Sequence, residues 1–98
     1  MKPIIVEPAA EADVEEAFWW YESQSRGFGA EFREAFRDAL DRIARNPRLY
    51  QVVRRQTRRA FLKRFPYGVY YREYPDVIAV VACMHGQRDP RRWQERIK

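Results

Sequence analysis

The sequence predicts an α+β domain in which a helical hairpin packs on a small, mainly antiparallel sheet. Two consecutive segments space their apolar residues as helices do, and after residue 49 the pattern changes to strand-like alternation. The third observation is length: 98 residues leave room for one core, so residues 1–98 are expected to form one domain.

The chain opens with Ile4-Ile5-Val6, β-branched and bounded by Pro3 and Pro8, which reads as a short strand. A helix follows from about Pro8, with Ala10, Val14, Ala17, Phe18 and Tyr21 on one stripe and most of its acidic residues on the other face. Ser23 to Gly27 interrupts the pattern. A second helix runs from about Phe28, with Phe32, Ala35, Phe36, Ala39, Leu40 and Ile43 on its stripe, and Asn46-Pro47 ends it. Strands are then predicted over Tyr50 to Arg54, Arg59 to Phe65, Val69 to Tyr74 and Val77 to His85. The last is apolar at nearly every position, as a strand covered on both faces should be. A turn at Asp89-Pro90 leads into a short helical stretch around Trp93.

Composition excludes several classes. With 46% hydrophobic and 34% charged residues the chain is neither a disordered tail nor a membrane span, and no leader-like apolar run follows Met1, so a cytoplasmic location is expected. Cys83 is alone and His85 is the one histidine, too few for an ordinary zinc site; no metal or other cofactor is expected. The glycines at 27, 29, 68 and 86 form neither a dinucleotide fingerprint nor a P-loop. Ser23, Ser25 and Thr57 lie in predicted connections with no histidine nearby in sequence, which argues against a serine-type triad.

The net charge of +5 is unevenly placed. Residues 1–46 carry six Lys/Arg against ten Asp/Glu, whereas residues 47–98 carry thirteen against four. In the cationic half, arginines alternate with Tyr50, Phe61, Tyr67, Tyr70, Tyr71, Tyr74 and Trp93. Such a surface suits unpaired RNA, since cations screen phosphate and rings stack on bases. It equally fits a basic edge strand over an aromatic core, or an acidic protein partner. His85, the one histidine, could with Arg88 three residues on supply acid-base chemistry beside a cation; a hydrogen-bonded structural histidine fits the same position.

The order β-α-α-β-β-β, the helix-ending Asn46-Pro47, the segment Phe65-Pro66-Tyr67-Gly68-Val69-Tyr70-Tyr71 and the ending His85-Gly86-Gln87-Arg88-Asp89-Pro90-Arg91-Arg92-Trp93 together resemble the RelE/ParE superfamily of bacterial toxins. The resemblance implies the toxin of a type II toxin-antitoxin pair, held inactive by a cognate antitoxin. Two activities occur on that scaffold. In the RelE-like branch the toxin cleaves mRNA in the ribosome; Arg59 and Arg88 stand where cations are expected, with His85 as a substitute proton-transfer group. Phe61 and Gly68 replace two further cations of that pattern.

In the ParE-like branch, which includes plasmid stabilization proteins, the toxin inhibits DNA gyrase by binding it. The Phe-Pro-Tyr segment and the His-Gly-x-Arg-Asp-Pro-x-x-Trp ending look more like this branch, so a non-catalytic gyrase inhibitor is expected, ahead of an mRNA endonuclease. A non-toxic family member or a basic nucleic-acid-binding module follows. Arg88, Arg91, Arg92, Trp93 and Arg96 are the expected target-binding residues. Trp19, Trp20, Arg64 and Arg72 are expected to meet the antitoxin, because adjacent tryptophans on one helix cannot both face the core. A homodimer or a toxin-antitoxin hetero-oligomer is compatible with this surface.

Overall fold

The computed structural model describes residues 1–86 and 90–97. The chain runs β1 (Ile4–Val6), α1 (Pro8–Gln24), α2 (Phe28–Arg45), β2 (Gln51–Arg54), β3 (Thr57–Phe61), β4 (Tyr67–Glu73), β5 (Ile78–His85) and α3 (Arg91–Arg96). The five strands form one sheet in the order β1-β5-β4-β3-β2; β1 is parallel to β5 and the other pairings are antiparallel. The expected α+β architecture is therefore the one adopted.

Each helix buries most of its predicted stripe, with Phe18 and Leu40 only partly covered. Ala10, Val14, Ala17 and Tyr21 of α1, and Phe32, Ala35, Phe36, Ala39 and Ile43 of α2, are buried against one face of the sheet. Burying each of the larger side chains is worth about 1.5–3 kcal/mol. Rings dominate this layer: Tyr21 lies 4.9 Å from Phe65 and 5.0 Å from Phe28, and Phe32 lies 5.0 Å from Tyr67, all at steep interplanar angles. Between the helices Gly27 takes φ 87°, and the Glu22 carboxylate accepts the backbone N–H groups of Gly27 and Gly29, satisfying donors at the start of α2.

Four predicted strand boundaries move by one or two residues; the strand predicted over Arg59 to Phe65 moves further. It spans Thr57–Phe61 instead of Arg59 to Phe65. Arg55, at φ 52°, turns the chain early enough for Arg54 to pair with Thr57. After Phe61 the chain leaves the sheet: Leu62 N–H donates to Tyr67 O at 2.9 Å and Arg64 takes φ 69°. Both turns use arginine in the left-handed region, where sequence reading looks for glycine or asparagine. Along β4, Val69 and Tyr71 face the helical hairpin and Tyr70 faces away from it.

Because β1 covers only Ile78 to Val80, the outer edge of β5 beyond Val80 has no strand neighbour among the described residues. Side chains take its place. Asp13 of α1 accepts the Cys83 N–H at 3.0 Å and holds Arg96 of α3 through both carboxylate oxygens, at 3.0 and 3.2 Å; Arg96 also donates to Val81 O. This junction straps α3 to the sheet face opposite the hairpin, where Ile97, Tyr70 and Ala82 form a second, smaller buried cluster. Among the described residues no helix is long and apolar enough to cross a membrane.

Candidate functional site, an arginine clamp beneath the last helix

The register of β3, β4 and β5 brings Arg59 beside Tyr70 and Ala82, and Phe61 beside Gly68 and Met84, all on the α3 face. The Arg59 guanidinium lies 4.7 Å from the Phe61 ring centroid, 5.9 Å from that of Tyr70 and 6.0 Å from that of Trp93. Trp93 in turn stacks on Tyr70 at 5.3 Å and 23°. A cation so placed gains from each ring quadrupole. Tyr70 is fully buried, and its hydroxyl has no hydrogen-bond partner among the described residues. Burial pushes its ionisation upward, against a smaller opposing pull from Arg59.

Two glycines make this stack possible. A Cβ at Gly68 would sit 2.8 Å from Arg59 Cδ, and one at Gly86 would sit 2.7 Å from Phe61 Cε1. An arginine at position 68, as in the RNase pattern, would compete with Arg59 for the same space. The departures at Phe61 and Gly68 are thus parts of one packing arrangement.

The three residues expected to act together in an RNase do not form one described cluster. Arg59 faces α3, whereas His85 pairs across the sheet with Tyr67 and packs edge-on to its ring at 5.4 Å on the hairpin face. Arg88 lies outside the described residues, as does the Asp89 half of the predicted turn. His85 borders a shallow notch with Asp13, Glu16, Tyr67, Arg92 and Trp93. No group of three or more His, Cys, Asp or Glu among the described residues is placed to hold a metal ion.

Of the expected target-binding residues, Arg91 and Arg92 are exposed on α3, while Trp93 is half-buried in the stack. Arg96 is committed to Asp13 and Val81. Of the expected antitoxin contacts, Trp19 and Trp20 are 60% and 51% exposed, so both indoles face solvent on α1. Arg64 is exposed and 3.3 Å from Glu31. Arg72 works within the fold: its Nε donates to Thr57 Oγ1 and its Nη2 to Ile97 O.

Sequence reading missed Asp13, which it placed on a solvated helical face. Its position one turn before Ala17 and beside Val14 put it at the border of the apolar stripe, the one signal available. It also missed that Gly68 and Gly86 serve the ring stack, for which nothing in the sequence stands out.

The architecture is thus a helical hairpin on one face of a mixed five-stranded sheet, with a basic, ring-rich layer and a short helix on the other. Residues 4–90 match the family of the ParE toxin of type II toxin-antitoxin systems, parDE, and the chain belongs to that family. The fold is also that of a solved structure titled "Chromosomal ParDE TA system from P. aeruginosa": TM-score 0.66 at 14% identity, covering 87% of this chain and 96% of the other. No curated protein sequence matches the chain.

Proposed function

We propose that this ParE-family toxin acts in the cytoplasm by binding DNA gyrase, without a catalytic step of its own, and that an antitoxin encoded beside it neutralises it. The observation that carries the choice of target is the arginine clamp. A ribonuclease needs cations free to meet phosphate and a proton-transfer group beside them. Here Arg59 is stacked among Phe61, Tyr70 and Trp93, the neighbouring positions are Phe61 and Gly68, and His85 is on the other sheet face. A binding toxin has no such requirement. Arg91 and Arg92, with Arg88, are then the target contacts, and Trp93 and Arg96 hold the helix that presents them.

The titled ParDE system of the structural relative supports an antitoxin partner for this chain. Purified gyrase supercoiling tests the target. Inhibition is expected, weakened by Arg91→Ala and Arg92→Ala together, and full supercoiling at a large molar excess of toxin would overturn the reading. The RNase alternative is examined with mRNA on programmed ribosomes, where intact message is expected.

A further inference from the structure

The outer face of α1 carries a constellation that the fold does not use. Glu16 precedes Trp19 by three residues and Trp20 by four, so on the helix surface the carboxylate sits one turn below both indoles. Glu16 is exposed and makes no hydrogen bond or ion pair among the described residues. Its neighbours differ. Glu15 is held by Arg33 at 2.7 Å and accepts the Trp19 Nε1–H at 2.9 Å, which also fixes that indole, and Asp13 is held by Arg96. One turn and two turns earlier on the same face stand Ala12 and Ala9, both exposed and too small to keep a second helix at a distance.

We infer that this face receives a cationic helical segment of the antitoxin, with an arginine or lysine seated against Glu16 between the two indoles. The inference rests on the antitoxin proposed above and adds the chemistry of the segment that docks. Two ring faces and a carboxylate that makes no ion pair among the described residues, although Arg92 and His85 share its notch, favour a cation over an anion. A second copy of the chain docked through α1 about a two-fold axis would bring Glu16 against Glu16, a like-charge contact. An acidic segment fits the arginine-rich residues 47–98 and not this face. The two indoles leave roughly 250–300 Å² exposed, about a third of what one partner contributes to a standard interface, so they form the anchor of a larger contact.

The experiment measures affinity between the full-length toxin and the purified product of the adjacent gene, for wild type, Trp19→Ala, Trp20→Ala, Glu16→Gln and Glu16→Lys. Circular dichroism checks each fold; these positions are exposed, so folding is expected to survive. The expected result is a loss of about tenfold or more for each tryptophan variant. Glu16→Lys should lose at least as much, Glu16→Gln less, and wild-type binding should weaken as salt rises. Unchanged affinity in the tryptophan variants, or tighter binding by Glu16→Lys, would overturn the inference while leaving the antitoxin reading intact. Absence of wild-type binding would remove the antitoxin reading itself, and the inference with it. Concentration-dependent self-association abolished by Trp19→Ala would assign the face to a second copy, and that too would overturn it.

Discussion

The two faces of the sheet are built on different physical terms. Beneath the hairpin, apolar side chains from both helices and from β3, β4 and β5 interlock, with Phe32, Ile43, Val69 and Tyr71 fully buried. Under α3, the buried cluster is Tyr70, Ala82 and Ile97, and much of the rest is an arginine among rings, a hydroxyl without a hydrogen-bond partner among the described residues and an ion pair. One face is held by burial of area. The other is held by directed contacts, each removable on its own, and it presents Arg91 and Arg92 to solvent. The difference teaches how stability is divided: the hairpin face holds most of the buried apolar side chains, and the α3 face depends on a few directed contacts.

The sharpest way to break this contrast is to empty one site on each face. Phe32→Ala removes a ring packed on Tyr21, Phe65 and Tyr67 and should cost about 3–5 kcal/mol in urea unfolding, a large share of the 5–15 typical of a small domain. A cost under about 1 kcal/mol would mean that the hairpin face does not dominate.

On the strap between the faces, Asp13→Ala leaves the Cys83 N–H and the Arg96 guanidinium without their acceptor and should cost about 1–3 kcal/mol. Arg96→Ala should cost less, because Asp13 keeps the Cys83 contact. Hydrogen exchange in α3 should rise in both variants while that in α2 stays slow. Equal acceleration in α2 would show that the strap is part of the main core.

Within the clamp, Gly68→Ala drives a methyl against the Arg59 stem and should cost about 1–2 kcal/mol. The cost should fall toward zero in an Arg59→Ala background, a coupling that a double-mutant cycle reads directly. The same cost in both backgrounds would locate the strain elsewhere.

The smallest expected effect lies away from both faces. Glu73 accepts Lys2 at 2.7 Å and Arg48 at 3.1 Å, and these contacts hold its carboxyl below the usual range. Because the folded value is depressed, its contribution is present above the unfolded carboxylate value and is lost as pH falls through the folded one. Thermal unfolding followed from pH 7 to pH 3 should therefore show a flatter acid limb for Glu73→Gln than for the parent. Parallel limbs would mean that the three charges do not act together.

Much of this architecture was readable in the chain. Helix stripes survive in sequence because residues three and four apart share a face, so Ala10 to Tyr21 and Phe32 to Ile43 appear as they fold. The β3 boundary was not readable, since Arg55 and Arg64 take a backbone region that their side chains do not advertise. Nor was the separation of Arg59 from His85. Which face a strand residue takes relative to another strand depends on register, and β5 carries an irregularity opposite Tyr70 and Tyr71 that leaves Val81 between two paired residues. The exposure of at least one tryptophan followed from helical geometry; that both are exposed did not.

By itself, then, the sequence determined the kinds and order of elements, the apolar stripes and the division of charge between residues 1–46 and 47–98, because these are properties of neighbours along the chain. The tertiary structure alone decided which charges are spent. Arg96 reaches Asp13 across 83 residues, Arg72 reaches Ile97 across 25, and Arg59 is enclosed by rings from three elements, while Glu16 keeps its charge exposed. Such pairings depend on distances in space that no periodicity along the chain encodes.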